Sequence, residues 1–329
     1  MSDEKIYLQY TTLTTPLPNF IYDGLKSFST DANSYHPQPA QLIEKISKKH
    51  RLPKEMIYLT AGADEAIYMF GLAYGNSVYC FTPTYITYEE ITNIGANVNF
   101  INALKESDYQ ISTDKIDNAT LIFLANPNNP FGLTQREKVI ELIENNSHAI
   151  VVIDEVYAEF ENVSVIDLVQ KYSNLVVLRS FAKSYGMAGN RVAYVVANDS
   201  ILKKIKTKAQ WASLSYLSAG AAIVAMDHDE YFIGLIESVS KRREEFQDFL
   251  KEKKYSILPT KINAVLIKFL SEEEATKFVE HLNANNFVVS HGNGGSNVGL
   301  DKSFVRISIG TQEEIAKLKE AINSFGLTL

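Results

Sequence analysis

The chain has 329 residues, 46% hydrophobic and 22% charged, which is the balance of a globular protein with a core large enough to enclose an active site. Its formal net charge of −7 argues against a general nucleic-acid-binding protein, because phosphate backbones are bound by basic surfaces. The sequence shows no signal peptide and no apolar run of transmembrane length. With Cys80 as its single cysteine, we expect a cytoplasmic protein with no nucleic-acid or membrane partner.

Helical and strand patterns alternate through the first two thirds of the chain. In chain order they predict a helix over 64–74, a strand over 77–81, a helix over 85–94, a strand over 121–125, a helix over 135–145, and strands over 149–153, 175–178 and 193–197. Continuous apolar strands that alternate with helices are typical of a mainly parallel sheet covered on both faces. The sequence therefore predicts an α/β fold.

The character of the sequence changes after Trp211. Helices are predicted over 213–226, 231–254, 272–284 and 312–325, and strands over 264–269, 287–290 and 304–309. Hairpin-like strands followed by helices indicate a smaller α+β domain. We predict a large domain over 36–225 and a small discontinuous domain formed by 1–35 and 226–329.

Three of the apolar strands end in polar clusters. The first ends in the turn Asn-Pro-Asn-Asn-Pro-Phe-Gly at 126–132, the second in Asp154-Glu155-Val156-Tyr157, and the third in a segment from Arg179 to Arg191 that contains Ser180 and Lys183. Ligands of open parallel sheets bind beyond the carboxyl ends of the strands. We therefore expect the three clusters to form one site.

Lys183 is the candidate nucleophile of that site. A lysine just past a buried strand, in a small and uncharged neighbourhood, could have a depressed pKa and attack a carbonyl, although any single lysine is more often a surface residue. Ser180 and Arg191 could hold a phosphate through a hydroxyl and a guanidinium fork. Gly62 precedes a predicted helix whose first turn offers free N–H groups to the same anion, and there Asp64 is either a helix cap or part of the site.

The remaining candidates each have an ordinary structural alternative. Asp154 is either a helix N-cap or the partner of a cationic ligand atom. Tyr157 either packs in the core or donates a hydrogen bond to a ligand. Tyr85 either packs or stacks on a planar ring.

In their order and spacing, these motifs resemble those of fold-type-I pyridoxal-phosphate-dependent aminotransferases of class I/II, most closely the histidinol-phosphate aminotransferase branch. The resemblance runs from about Tyr35 to Phe325 and includes Phe304-Val305-Arg306-Ile307-Ser308 near the C-terminus. It implies the PLP-transferase fold, with a large domain whose parallel sheet lies between helices and a small α+β domain. It also implies pyridoxal 5′-phosphate, held by Lys183 as a Schiff base, and no metal.

The resemblance gives the other motif residues their roles. Asp154 would face the pyridine nitrogen, Asn129 and Tyr157 the ring oxygen, and Tyr85 the face of the ring. Arg306, together with Asn129, would bind the substrate. The cofactor phosphate would be bound by Ala63, Asp64, Ser180, Arg191 and, across a homodimer interface, Tyr35 of the partner subunit.

The implied reaction is a ping-pong transfer of an amino group between an L-amino acid and a 2-oxo acid. The chain departs from the family pattern at three single positions and in one segment. Phe131 replaces a threonine, Ala182 a second serine, and Ser290 an arginine that serves the phosphorylated substrate, and the stretch 8–18 lacks the Asn-Glu-Asn-Pro-like signature of that branch. These departures leave the substrate open. The alternatives are a pyridoxal-phosphate-dependent decarboxylase of amino acids or amino-acid phosphates, and a protein that binds the cofactor without catalysis.

Overall fold

The structure is a computed structural model that describes residues 5–106, 108–294 and 297–326. The described residues contain ten α-helices. In chain order these are α1 Asn19–Ser29, α2 Ala40–His50, α3 Ala63–Tyr74, α4 Thr87–Glu90, α5 Arg136–Asn145, α6 Asp199–Lys206, α7 Tyr216–Met226, α8 Asp229–Glu252, α9 Glu272–Ala284 and α10 Gln312–Ser324.

The same residues contain seventeen strands, several of them only two residues long. They are β1 Ile6–Tyr7, β2 Ile57–Thr60, β3 Val78–Thr82, β4 Thr84–Tyr85, β5 Val98–Asn102, β6 Leu104–Lys105, β7 Asp108–Tyr109, β8 Leu121–Ala125, β9 Ile150–Asp154, β10 Leu175–Ser180, β11 Ala193–Val196, β12 Ser256–Leu258, β13 Ala264–Lys268, β14 Phe287–Val288, β15 Ser290–His291, β16 Asn297–Val298 and β17 Phe304–Ser308.

A seven-stranded sheet in the order β2-β11-β10-β9-β8-β3-β5 forms the centre of the molecule. Strands β10, β9, β8, β3 and β5 run parallel, whereas β11 is antiparallel to both of its neighbours. The five residues of β8 are all buried, as a strand covered by helices on both faces requires. The predicted α/β fold with a mainly parallel sheet is confirmed.

The register of the sheet brings the predicted polar clusters to one edge. Asp154 at the end of β9 lies opposite Ala125 at the end of β8 and opposite Leu178 in β10. The polar segments that follow these three strands therefore leave the sheet side by side, as the position of a ligand site in such a sheet requires.

A smaller antiparallel sheet, in the order β12-β13-β17-β15, forms a second layer with α9 and α10. The N-terminal segment joins it, because β1 pairs with β14 and the backbone N–H of Ser308 donates to the carbonyl of Leu8 at 3.0 Å. Helix α1 packs instead against α7, where a Cβ on Gly220 would overlap the ring of Phe28. The division into 36–225 and 1–35 with 226–329 stays a prediction.

Local boundaries differ from the prediction in two places that matter for the site. Within the predicted helix 85–94, Tyr85 belongs to β4, and only Thr87–Glu90 is α-helical before a 3-10 turn takes over at Ile91–Ile94. The predicted strand 287–290 is interrupted at Val289, because β14 pairs with β1 whereas β15 pairs with β17. Pairing with segments far away in sequence, β16 for β4 and β1 for β14, sets the strand assignment of Tyr85 and the end of β14.

None of the helices in the described part of the chain has both the length and the apolar character needed to span a bilayer.

Candidate active site

A cavity of about 290 Å³ lies at the carboxyl edge of the parallel sheet, between the sheet and the N-terminal segment. Its size is near the lower end of the range for ligand sites, and its wall is largely apolar with a few polar groups. It is lined by Tyr10, Thr11, Thr12, Ala63, Asp64, Tyr85, Ala125, Asn129, Asp154, Val156, Tyr157, Ser180, Ala182, Lys183, Ala188 and Arg191.

A second cavity is larger and more open, at about 1000 Å³, and lies beside the start of α10. It is lined by acidic and hydroxyl side chains such as Glu313, Glu314 and Thr14, and it contains none of the predicted site residues. We therefore place the chemistry in the smaller cavity.

Lys183 projects its amine into the smaller cavity from the segment after β10. Its Nζ donates a hydrogen bond to Oγ1 of Thr11 at 2.8 Å and lies 5.4 Å from the centre of the Tyr157 ring. Burial of the amine lowers the pKa of Lys183 to about 7, and the nearby positive charge of Arg306 adds to this shift. A large fraction of the amine is thus neutral and nucleophilic at neutral pH.

Asp154 is a buried carboxylate at the floor of the cavity. Its Oδ2 accepts a hydrogen bond from the hydroxyl of Tyr88 at 2.7 Å, and its Oδ1 accepts one from the N–H of Val156 at 3.2 Å. Burial raises the pKa of Asp154 to about 6, although both hydrogen bonds oppose the rise. A buried carboxylate of this kind is stabilised by a cationic ligand atom beside it.

Arg306 extends from β17 and is 1% exposed. Its Nη1 donates to Oδ1 of Asn129 and to Oδ1 of Asn297, both at 2.7 Å, and its Nη2 donates to the carbonyl of Gln9 at 2.5 Å. Burial lowers the pKa of Arg306 to about 10, so the guanidinium remains charged at neutral pH. It lies directly behind Asn129, which lines the cavity.

Arg191 and the first turn of α3 form a cradle of hydrogen-bond donors at one end of the cavity. Nη2 of Arg191 lies 2.5 Å from Oδ2 of Asp64, whose Oδ1 accepts a hydrogen bond from Tyr85 at 2.8 Å. Gly62 precedes the helix with φ of 88° and offers no side-chain cap, so the N–H groups of the first turn of α3 can donate to an anion. A Cβ on Gly62 would overlap Nη2 of Arg191, which explains the glycine.

Nine predicted site residues line this one cavity, and two do not. The nine are Ala63, Asp64, Tyr85, Asn129, Asp154, Tyr157, Ser180, Lys183 and Arg191. Arg306 contacts the cavity through Asn129. Tyr35 lies on the outer surface, 78% exposed, with its ring centre 5.0 Å from that of Trp211.

Sequence reasoning missed two polar contacts of this site. Thr11 contacts the amine of Lys183, and Tyr88 contacts the carboxylate of Asp154. Neither lies in a recognisable motif, because each reaches the site from a segment more than 60 residues away in sequence. The only local signal that could have pointed to Tyr88 was its own aromatic side chain, three positions after Tyr85.

The cavity fits a planar ring that carries a phosphate on one side and a basic nitrogen on the other. The cradle at Gly62 and Arg191 supplies donors for an anion, and Ser180 adds a hydroxyl nearby. Asp154 supplies the buried carboxylate that a protonated ring nitrogen requires. An amine of lowered pKa, Lys183, lies in the same cavity for attack on an aldehyde.

Comparison with solved structures defines the class of protein first. The histidinol-phosphate aminotransferase of Sinorhizobium meliloti, in complex with pyridoxal-5′-phosphate, matches 98% of this chain and 92% of its own at 18% identity with a TM-score of 0.87. L-threonine-O-3-phosphate decarboxylase from Porphyromonas gingivalis matches 97% and 99% at 23% identity with a TM-score of 0.85. At these identities the likeness shows a shared fold, that of the fold-type-I pyridoxal-phosphate enzymes.

Sequence comparison then gives the family. The model of the aminotransferase class I and II family matches residues 9–322, and the chain belongs to this family. A histidinol-phosphate aminotransferase of Thermotoga sp. (strain RQ2) is 33% identical over 319 residues, which cover 94% of this chain and 91% of the relative. The protein is therefore a transaminase that uses pyridoxal phosphate, with amino-acid and 2-oxo-acid substrates. The predictions of family, cofactor and enzyme class are confirmed, and a decarboxylase or a non-catalytic binding protein is not favoured.

Proposed function

We propose that the cavity around Lys183 is where this transaminase moves an amino group between an L-amino acid and a 2-oxo acid, and that Lys183 both binds the cofactor and carries the proton. One observation carries the proposal: the amine of Lys183 shares a cavity of about 290 Å³ with the carboxylate of Asp154, the amide of Asn129 and the guanidinium of Arg191. The four groups differ in chemistry, and each matches a different part of the cofactor.

The residues that hold the cofactor follow from the charges of the cavity. Arg191, with the hydroxyl of Ser180 and the backbone of Ala63 and Asp64, binds the phosphate. Asp64 forms an ion pair with the guanidinium of Arg191, so a bound phosphate would compete with the carboxylate of Asp64 for that guanidinium. At the opposite end, the carboxylate of Asp154 keeps the ring nitrogen protonated.

The residues that contact the ring oxygen and the face of the ring are assigned in the same way. Tyr157, whose pKa burial raises to about 12, remains a phenol and donates to the ring oxygen. Asn129 donates to the same oxygen with its amide nitrogen, since its Oδ1 accepts from Arg306. Tyr85 covers one face of the ring.

Pyridoxal phosphate, when bound, supplies an electron-withdrawing ring that stabilises negative charge on the substrate Cα. Lys183 would hold it through its ε-amine. With substrate bound, the amine of Lys183, whose pKa burial lowers to about 7, would serve as the base that takes the proton from the substrate Cα and as the acid that releases it. By its likeness to the family, Arg306 would orient the substrate by binding its α-carboxylate as a fork, with the carboxylate replacing contacts that Nη1 and Nη2 make to Asn129 and to the carbonyl of Gln9.

We further propose that the amino donor carries no phosphate. The support is Ser290, a buried residue that lies directly opposite Arg306 between β15 and β17. The hydroxyl of Ser290 donates to the carbonyl of Gly294, and Asn297 lies within 3.5 Å of it. A neutral serine at this position adds no charge for a second anionic group. The relatives named histidinol-phosphate aminotransferases therefore indicate the fold of this chain better than they indicate its substrate.

We also propose that the protein is a homodimer and is located in the cytoplasm. Tyr35 and Trp211 are 78% and 71% exposed, which is unusual for two large aromatic side chains in contact, and they mark a surface suited to a partner subunit. By its likeness to the family, Tyr35 would reach the cofactor phosphate of the other subunit. Sedimentation should give twice the mass of the chain, and Trp211→Asp should give the monomer.

A screen of half-reactions tests the proposal. The holoenzyme is mixed with each of the twenty standard L-amino acids and with L-histidinol phosphate, and the absorbance of the Lys183-bound cofactor is followed. We expect one or more unphosphorylated amino acids to bleach this band with formation of a 2-oxo acid. Faster bleaching by L-histidinol phosphate would contradict the unphosphorylated donor, and release of CO₂ without amino transfer would contradict transamination.

Lys183→Ala is the matching test of the lysine. It should abolish both the band and the turnover, whereas Lys203→Ala, which removes an exposed lysine on α6, should change neither. Normal turnover by Lys183→Ala would overturn the assignment.

A further inference from the structure

Thr11 lies where the lysine and the ring-oxygen donor of the site meet. Its Oγ1 accepts the hydrogen bond from Nζ of Lys183 at 2.8 Å and lies 2.5 Å from the hydroxyl of Tyr157. The threonine is 2% exposed, so water does not compete strongly for either contact.

We propose that Thr11 is the positioning residue of Lys183: its hydroxyl holds the free ε-amine beside Tyr157 and turns the nitrogen lone pair toward the substrate. The inference rests on the proposed function, in which Lys183 must act as a free amine once the substrate has taken its place on the cofactor. A base that transfers a proton needs a fixed direction as well as a suitable pKa.

The directions of the hydrogen bonds support this role. A hydroxyl has one proton to donate and two lone pairs that accept. Because Thr11 accepts from Lys183, its own proton is available to the oxygen of Tyr157. Tyr157 is then left to donate its proton to the ring oxygen of the cofactor. Each donor has an acceptor in this arrangement, and the lone pair of a neutral Lys183 amine is not consumed.

The fold brings Thr11 to the lysine from the other layer of the molecule. The amide of Asn263, just before β13, donates to the carbonyl of Thr11 at 3.1 Å. The hydroxyl of Ser308, at the end of β17, donates to the carbonyl of Tyr10 at 2.6 Å. Lys183 and Tyr157 lie in the segments that follow β10 and β9 of the parallel sheet, so the position of the amine depends on how the N-terminal segment lies against the small sheet.

Removing the hydroxyl should change the titration of the amine in a known direction. An acceptor stabilises an ammonium more than a neutral amine, so its loss lowers the pKa of Lys183. The charged groups around the amine are Arg306, Asp64, Arg191 and Asp154, and the substitutions proposed here keep all four.

The experiment compares Thr11→Val with Thr11→Ser and with Thr15→Val. Thr15 is a half-buried threonine on the same segment and is not part of the cavity wall as described. The first readout is the rate at which the apoprotein captures pyridoxal phosphate, measured against pH. In Thr11→Val the midpoint should move to lower pH by about one unit, the size of one modest charge-assisted hydrogen bond. Thr11→Ser and Thr15→Val should keep the wild-type midpoint.

The second readout uses the fastest donor of the half-reaction screen and its Cα-deuterated form. In Thr11→Val, kcat should fall roughly tenfold or more with KM nearly unchanged, because a displaced base slows proton transfer without weakening carboxylate binding. The deuterium isotope effect should rise as proton transfer becomes the slow step, and Thr11→Ser should restore both values.

Wild-type values of the midpoint, kcat and isotope effect in Thr11→Val would overturn the inference. A loss of kcat that Thr11→Ser does not restore would also overturn it, since it would show a packing role. Should Thr11→Val not fold, Thr11→Ala removes the same hydroxyl without adding a methyl group. Equal turnover of the wild-type protein and Lys183→Ala would instead contradict the proposed function. Failure of the proposed function is thereby distinguished from failure of the role of Thr11.

Discussion

Nε of Arg179 lies 2.9 Å from Oε2 of Glu155, and this buried ion pair joins the chain neighbours of Ser180 and Asp154, two residues of the cavity wall. Arg179 is near the end of β10, and Glu155 follows β9 immediately after Asp154. Arg179 also contacts Glu159 at 2.7 Å and the hydroxyl of Ser164 at 2.9 Å. The network joins the ends of two neighbouring strands and so fixes the backbone that carries Asp154.

This geometry predicts a large loss of stability when one member of the pair is removed. Arg179→Met leaves the carboxylate of Glu155 buried without its cation, and we expect the free energy of unfolding of the apoprotein to fall by about 3–5 kcal/mol. Denaturant unfolding followed by circular dichroism measures the change. The double variant Glu155→Leu with Arg179→Met should recover much of the loss, because the fully buried carboxylate is then gone and only Glu159, whose side chain is 21% exposed, lacks its cation.

The control for this prediction is a surface ion pair. Lys203 lies 2.6 Å from Asp199 on α6, and its side chain is 74% exposed. Lys203→Met should leave the unfolding midpoint nearly unchanged. Equal effects of Lys203→Met and Arg179→Met would show that the buried pair has no special role.

The lowered pKa of Lys183 predicts the pH dependence of cofactor capture by the apoprotein. Only the neutral amine attacks an aldehyde, and the pKa of about 7 means that the neutral fraction grows as pH rises through 7. The capture rate should therefore increase from pH 6 to pH 8 and level off above it. Stopped-flow absorbance with pyridoxal phosphate measures this rate. A rate that keeps rising beyond pH 9 would indicate a lysine with an ordinary pKa.

Gly62→Ala should weaken binding of the cofactor phosphate. The new Cβ would overlap the guanidinium of Arg191, and alanine is strained at φ of 88°. We expect the Kd of pyridoxal phosphate to rise roughly tenfold or more, in keeping with the loss of a charged hydrogen bond. Fluorescence titration of the apoprotein gives the Kd. Gly234→Ala, at an open position in α8, should bind pyridoxal phosphate with the wild-type Kd. Equal Kd values for the two variants would show that the cradle at Gly62 and Arg191 does not bind the phosphate.

Arg306→Lys separates substrate binding from cofactor binding. A lysine keeps the charge but loses the planar fork that grips a carboxylate through two bonds. We expect kcat/KM for the amino donor to fall about a hundredfold, while the Kd of pyridoxal phosphate changes little. Steady-state kinetics and the titration above measure the two quantities. Weaker binding of pyridoxal phosphate with an unchanged KM for the amino donor would show that Arg306 binds the cofactor and not the substrate.

Local pattern was sufficient for the centre of the fold. The strand predicted over 121–125 coincides with β8, and the helix predicted over 272–284 coincides with α9. Both are runs in which hydrophobicity alone specifies the element, either continuously apolar or at a helical period. The clusters after β8, β9 and β10 could be assigned to one site because parallel strands place their carboxyl ends at one edge.

Short strands with distant partners escaped the same reasoning. The two residues of β4 pair with β16, more than 200 positions away, so Tyr85 was assigned to a helix. The break at Val289 has the same origin, since β14 and β15 pair with different strands. Pairing energy between remote segments decides such boundaries, and no local period records it.

The sequence by itself indicated the kind of chemistry, because the motifs that contain Lys183, Asp154 and Arg191 resemble, in order and spacing, those of fold-type-I pyridoxal-phosphate enzymes. Tertiary structure alone decided what surrounds them. It placed Thr11 against Lys183 across 172 positions, and it placed Arg306 behind Asn129 across 177. The reason is physical: a residue type fixes what a side chain can donate, accept or attack, whereas its pKa and direction depend on neighbours that only the folded chain brings within hydrogen-bond distance.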